Sequence, residues 1–271
     1  MSGALAVCPT PIGNLGDVTL RVLDELRAAD VIACEDTRRT RALLARHGVH
    51  ATTVSLHEHN EVARTPELVD RIRRGDRIAL VSDAGMPAVS DPGARLIDAA
   101  FAAGLPVTVL PGPSAVTTAV AASGLGGDGF AFCGFLPRTA AALGALLDRV
   151  DAAGLAVVAF ESPRRLPATL RALADRDPSR PAAVCRELSK VHEQVERGPV
   201  AELAASFAEP PRGEVTLVLG PRAGAAAPEP PADALAELAA AVGARRAAGI
   251  AARLTGAPRN RLYARITGAP R

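Results

Sequence analysis

Tryptophan is absent from this 271-residue sequence, and aromatic residues make up only 3% of it. Stacked rings of the kind that grip single-stranded nucleic acid are therefore scarce. Lysine is nearly absent as well: of 31 basic residues only Lys190 is not an arginine. Cysteine is limited to Cys8, Cys34, Cys133 and Cys185, far apart and without a CxxC pair. Three of these, Cys8, Cys34 and Cys185, sit in apolar strand-like runs, so buried thiols of a cytoplasmic protein are expected. No apolar run approaches the roughly 18 residues that a membrane span needs. No basic-then-apolar leader opens the chain, so neither secretion nor membrane insertion is expected. HExxH and GxSxG are missing, and no His, Cys or carboxylate set has metal-ligand spacing, so no metal is expected.

Acid is missing from one region only. Leu238 to Arg271 holds seven arginines and no Asp or Glu. With a formal net charge of +2, the preceding residues sum to 2 − 7 = −5. A mildly acidic body with a basic tail suits an anionic macromolecular partner that meets the tail. The alternative is a solvated helical end in an arginine-rich composition.

What is present points to an α/β protein. Hydrophobic content of 48% and charged content of 22% are those of a globular chain. Apolar runs ALAVC, DVIAC, TTVSL, RIALVS and PVTVL alternate with helix-like segments, the first spanning Val18 to Ala29 with Asp17 as its expected N-cap. Such βα units predict a mostly parallel first sheet over residues 1–111, broken at Pro111-Gly112-Pro113. Residues 112–222 begin with a small-residue helix, SAVTTAVAASGL. Strand candidates follow at Gly129 to Phe135, Leu155 to Phe160, Ala182 to Arg186, Glu193 to Arg197 and Glu214 to Leu219, and they predict a mixed second sheet. PRAGAAAPEPP, residues 221–231, has the composition of a linker. Residues 232–271 are expected to form a basic helical tail of three short helices, with Gly256-Ala257-Pro258 between the last two.

Three loops share one grammar, an apolar strand ending in Gly/Pro-punctuated turns: PTPIGNLGD (residues 9–17), SDAGMPAVSDPG (82–93) and LPGPSA (110–115). In open α/β sheets, ligands sit beyond the carboxyl ends of strands. The first loop lacks the Lys-Ser/Thr of a phosphate loop and the glycine trio of a dinucleotide fingerprint. Pro87 and Pro92 stiffen the second, and Asp83 stands at its strand end. Glu35-Asp36-Thr37-Arg38 and Glu161-Ser162-Pro163-Arg164-Arg165 occupy corresponding strand ends, where helix capping competes with phosphate contact as their role. His57 and His59 are expected to be polar loop residues. Where arginine supplies nearly all positive charge, a retained lysine is a candidate proton acceptor, because arginine cannot give up its proton. Lys190 lies between Glu187 and Glu193.

Taken in order, PTPIGNLGD, CEDTRRT, LHEHNE, VSDAGMPAVSDPG, LPGPSA, GFLPR, FESPRRL, RELSK and GEVTLVLG resemble the bacterial ribosomal RNA small-subunit methyltransferase I family. That family belongs to the tetrapyrrole-methylase superfamily. Departures are Met86 where threonine is usual, and Arg39 and Arg165 where histidine is common. The resemblance implies two α/β domains, a homodimer, and 2′-O-methylation of a cytidine in the decoding region of 16S rRNA in the small ribosomal subunit. The methyl donor would be S-adenosylmethionine, lying between the two domains. By the same resemblance Pro11, Asp83, Ala84, Gly85, Met86, Ser114, Ala115 and Phe160 would line its site. Lys190, oriented by Glu187, would act on the ribose hydroxyl. Asn14, Arg38, Arg164, Arg245, Arg246, Arg259 and Arg261 are the expected RNA contacts. Two alternatives stay open: a methyltransferase acting on a tetrapyrrole or corrinoid, and a non-catalytic ribosome-binding protein.

Overall fold

The computed structural model describes residues 3–222, 230–255, 257 and 259–268. Most of the 221–231 linker, Gly256, Pro258 and Arg271 therefore lie outside the described residues. The chain divides into two compact units, Met1–Thr118 with Arg186–Gln194, and Ala119–Cys185 with Val195–Arg271.

In the first unit, β1 (Ala4–Val7), β2 (Val31–Cys34), β3 (Thr52–Ser55), β4 (Arg77–Val81) and β5 (Val107–Val109) form one sheet in the order β3-β2-β4-β1-β5. The β1–β4, β1–β5, β2–β3 and β2–β4 pairings are all parallel. Side chains alternate between its faces with the strand period of two. Ala6, Cys8, Ile32, Cys34, Ala79 and Val81 pack with Val22, Leu23 and Leu26 of α1 (Leu20–Ala28) and Leu44 of α2 (Thr37–Arg46). Leu5, Val7, Ala33, Ile78 and Leu80 face the other way, onto Leu68, Val69 and Ile72 of α3 (Glu61–Arg73) and Leu96 and Ala100 of α4 (Ala94–Ala102). Burial on both faces explains why these strands are continuous apolar runs.

The two connections cross. From β1 the chain passes β4 to reach β2, and from β4 it passes β1 to reach β5. The loops after β1 and β4 therefore leave neighbouring strand ends, on the side of a parallel sheet where ligands sit.

One expectation fails in detail. Asp17 does not cap α1; it ends a 3-10 turn, Leu15–Asp17, and the Thr19 hydroxyl accepts from Val22 N instead. Asn14 begins the turn by accepting from Gly16 N, so two capping residues close together serve two consecutive elements.

The second unit holds α5 (Ala115–Ser123, shared with the first), β6 (Phe130–Phe135), α6 (Ala140–Ala152), β7 (Ala156–Glu161), α7 (Leu166–Arg176), β8 (Pro181–Arg186), β9 (Gln194–Pro199), α8 (Val200–Ser206) and β10 (Val215–Leu219). Its sheet runs β6-β7-β10-β8-β9 and is mixed, with β6 parallel to β7 and β10 antiparallel to it. Leu143, Leu147, Leu170, Leu173, Leu203 and Phe207 close one face. The buried Arg180 guanidinium pairs with Asp151 at 2.8 Å and donates to Gly220 O. The tail forms α9 (Ala232–Val242), α10 (Ala244–Thr255) and α11 (Arg259–Thr267) around a small core of Leu235, Ala248, Ala251, Ala257 and Leu262.

Candidate active site

The three punctuated loops meet beyond the carboxyl ends of the first unit's strands. Thr10 and Gly85 exchange two backbone hydrogen bonds, N to O at 2.9 Å each way, which ties the β1 loop to the β4 loop. The Thr10 hydroxyl adds a bond to Ser82 O, and the Ser82 hydroxyl one to Gly85 O. Gly85 has φ 83, a left-handed conformation that costs glycine little. A Cβ there would touch Ile12 of the first loop and Pro113 O of the third. Ser114 O accepts from Thr118 N, so Ser114 and Ala115 enter α5 directly from that third loop.

Lys190 comes to this cluster from far away in the sequence. The segment Arg186–Gln194 belongs to the first unit although β8 precedes it. Glu187 and Ser189 both take left-handed backbone angles, φ 52 and 68, making a tight turn. Glu193 Oε2 accepts from Ser189 N at 2.6 Å, and the Ser189 hydroxyl donates to the Asp17 carboxylate of the first loop. Lys190 Nζ pairs with Glu187 Oε1 at 2.8 Å. A Cβ at Gly13 would lie 2.4 Å from Lys190 Cγ and 2.8 Å from Leu188 O. Only glycine lets the first loop approach the lysine so closely.

Carboxylates crowd the same rim. Asp83 accepts from Asp36 N at 3.0 Å and pairs with Arg39 at 3.3 Å, so its oxygens join the β4 loop to the start of α2. Burial, and then the neighbouring Asp83 charge, push the Glu35 carboxyl above its ordinary range. Asp91 is pushed up to about 6, first by burial and then by Glu35. Asp36 is held down at about 2 by its hydrogen bonds from Arg38.

Sequence reasoning missed Glu61. Its buried carboxylate accepts from Gly93 N at 2.9 Å and Arg95 N at 3.0 Å, capping α4 from a distant helix and pinning the end of the 82–93 loop. The signal was the last letter of LHEHNE, a motif in which only the histidines drew attention. His57 and His59 meet edge to face at 5.9 Å.

The expected site residues fall into two groups. Pro11, Asn14, Asp83, Ala84, Gly85, Met86, Ser114, Ala115, Glu187, Lys190 and Arg38 belong to the first unit. Pro11 is buried, Asn14 and Arg38 are exposed, and Met86 packs against the α3–α4 side of the sheet. Phe160, Arg164 and the tail arginines belong to the second unit. There Phe160 makes edge contacts with Phe132 at 5.0 Å and Phe135 at 5.8 Å. Arg164 is exposed, whereas Arg165 folds inward to pair with the buried Glu161 and donate to Leu136 O. Arg245, Arg246, Arg259 and Arg261 are all exposed. Cys8, Cys34 and Cys185 are buried free thiols, and Cys133 is half-buried. No helix among the described residues is long and apolar enough to cross a membrane.

Comparison with known proteins agrees with this architecture. The family of Tetrapyrrole (Corrin/Porphyrin) Methylases matches residues 4–204, and an RsmI C-terminal HTH domain matches 225–269. Among solved structures, the methyltransferase CobJ superposes with a TM-score of 0.63 at 21% identity, covering 82% of this chain and 95% of that one. A diphthine synthase also gives 0.63, at 16% identity over 81% and 90% of the two chains. Both likenesses concern the fold. Closer in sequence is a "Ribosomal RNA small subunit methyltransferase I" of Mesorhizobium japonicum, 44% identical over 96% of this chain and 90% of the relative. The protein of that name from Escherichia coli O157:H7 is 40% identical over 96% and 93%. On this similarity the chain belongs to the ribosomal RNA small subunit methyltransferase I family within the tetrapyrrole methylases.

Proposed function

We propose that the protein methylates the 2′-oxygen of a cytidine in the decoding region of 16S rRNA, using S-adenosylmethionine. The observation that carries this reading is the seating of Lys190 against Gly13, in the β1 loop that is tied to the β4 loop. S-adenosylmethionine supplies an activated methyl on a sulfonium, so the protein's task is chiefly alignment. The rim suits that donor in charge. Glu35, Asp83 and Asp91 create a negative field that favours a cation. Pro11, Ala84, Met86, Ser114, Ala115 and Phe160 are the further residues assigned to the donor's site.

A ribose hydroxyl is a poor nucleophile, and Lys190 is the group assigned to take its proton as the oxygen bonds to carbon. Glu187 fixes the amine's direction, and its charge favours the ammonium form. Turnover should therefore rise with pH as the neutral amine becomes more abundant. Asn14, Arg38, Arg164 and the tail arginines Arg245, Arg246, Arg259 and Arg261 provide the RNA contacts, mostly to phosphate. The resemblance further implies a homodimer, which light scattering tests, and a cytoplasmic setting where ribosomal subunits are assembled.

The decisive experiment compares Lys190→Met and Lys190→Arg for methyl transfer to small ribosomal subunits and for donor binding by calorimetry. Both should bind the donor normally yet lose at least about 100-fold in kcat, the lower range of general-base contributions. Arginine keeps the charge and cannot release the proton. An active Lys190→Arg enzyme would refute the assignment. Methylation of a corrinoid precursor in place of rRNA would refute the substrate.

A further inference from the structure

The tail is not the only acid-free basic segment. Between Asp36 and Glu58 the sequence contains Arg38, Arg39, Arg41 and Arg46 and no Asp or Glu, within a body whose net charge is negative. The segment includes α2, whose inner side is anchored by Thr40, Leu43 and Leu44. Its outer side presents Arg38, Arg41, Ala42, Ala45 and Arg46, all exposed. The two alanines lie between the flanking guanidiniums of Arg41 and Arg46, so the strip is low in relief and charged at its borders.

Helix stability does not explain this arrangement. Three arginines stand in the first half of α2 with no acid in its first turn, where the helix dipole favours anions. Arg38 is held by Asp36 and Arg39 by Asp83. Arg41 and Arg46 form no salt bridge within the described residues. Both ends of α2 are fastened to the loop cluster. At its start Asp36 N donates to Asp83 Oδ1 of the β4 loop. At its end His47 Nε2 meets Leu15 O of the β1 loop at 3.0 Å. The helix thus borders both the β1 and the β4 loop.

We propose that this outer face of α2 is a track for RNA phosphates, carrying the strand that flanks the nucleotide presented to the loop cluster. This rests on the reading of the protein as an rRNA methyltransferase and adds a surface to it. From Arg38 to Arg46 the helix advances about 12 Å at about 1.5 Å per residue. That length covers about three to four nucleotide steps of a stacked strand, at about 3.4 Å of axial rise each. Guanidinium forks suit phosphate oxygens and read no sequence, so the track positions while the loop cluster selects.

The test uses the full-length protein and its Arg41→Gln/Arg46→Gln double variant, binding a 16S rRNA transcript over a range of salt. Each lost phosphate contact should make the log–log salt slope about 1 unit less steep. At about 0.1 M salt the double variant should bind roughly 10- to 100-fold more weakly. Calorimetric affinity for S-adenosylmethionine and the urea midpoint should be unchanged, since both side chains are exposed and neither is assigned to the donor's site. If the parent binds rRNA and the variant matches it in affinity and slope, the track is overturned while the methyltransferase reading stands. Weaker binding with an unchanged slope overturns it too, because the contacts would not be to phosphate. If the parent binds the donor but no rRNA, both the track and the reading fall.

Discussion

Glu61 should be the residue whose loss most clearly loosens the loop cluster without touching its reactive groups. Its carboxylate accepts two backbone N–H groups, from Gly93 and Arg95, and is itself buried. Hydrogen bonds to a charged acceptor contribute about 1.5–3 kcal/mol, and losing a helix N-cap costs about 0.5–2 kcal/mol. In Glu61→Ala the buried Gly93 N–H loses its partner, whereas the Arg95 N–H, nearer the surface, can turn to water. The two effects together should destabilise the first unit by about 2–4 kcal/mol. With a urea m-value of about 3 kcal/mol/M, the midpoint of the unit's transition should fall by about 1 M at constant m. Glu61→Gln retains an acceptor oxygen and should lose only about 1 kcal/mol. Because the same bonds pin the end of the 82–93 loop, donor affinity should weaken in step with stability. Urea titrations followed by circular dichroism measure the first effect, and calorimetry the second. A midpoint within about 0.2 M of the parent for Glu61→Ala would refute the capping argument.

Three more outcomes follow from particular contacts. Gly13→Ala places a methyl where Lys190 Cγ and Leu188 O already stand, and a backbone oxygen cannot simply swing away. Steady-state kinetics should show kcat falling well beyond any change in the donor KM; an unaltered kcat would mean the lysine turn is free to move. Asp91, at about 6 in the fold against about 3.9 for an unperturbed aspartate, is a raised acid. Its protonated form is the one the fold favours, so its contribution is complete below about pH 4 and is lost as pH rises through 6. Asp91→Asn should equal the parent near pH 4 and exceed it in thermal stability above pH 6, by an amount reduced by solvent screening; equal stability at every pH would sink that account. Burial pushes the Cys8 thiol up to about 12, so it should ignore thiol reagents until the protein unfolds, whereas half-buried Cys133 reacts first. Mass spectrometry of partially labelled protein reads that order.

How much of this was legible in the sequence depends on the range of the interaction involved. The parallel strands of the first unit are visible because burial on both faces demands unbroken apolar runs such as Ile78–Val81. The three tail helices fall within a residue or so of expectation, since Pro and Gly punctuate them. The five second-unit strands are also legible, and their mixed pairing follows. Helices α6, α7 and α8 drew no specific expectation. The sequences of α6 and α7 are rich in alanine and leucine, which blurs periodicity, and α8 has only seven residues. Asp17 illustrates a different failure. Capping chemistry is local, and a local rule cannot tell which of Asn14, Asp17 and Thr19 serves which turn. In the fold the Asp17 carboxylate accepts instead from the hydroxyl of Ser189, 172 residues away in the chain.

That long-range bond bears on why the single lysine could be found at all. Composition alone marked Lys190, because a chain that uses arginine for 30 of its 31 basic residues has little reason to keep a lysine for charge. Composition says nothing about position. Position comes from two left-handed residues, Glu187 and Ser189, which turn the chain sharply enough to return Lys190 to the first unit. Such angles are disfavoured for residues with a Cβ and persist only where surrounding contacts fix them. Those contacts are Glu193 on the Ser189 amide, Asp17 on its hydroxyl, Glu187 on the amine, and the bare face of Gly13 beneath the stem. A lysine serving only as surface charge would need none of them. Four restraints converging on one short turn support the proposal that the terminal atom of Lys190 meets a reacting oxygen, since such a role needs placement within a few tenths of an ångström.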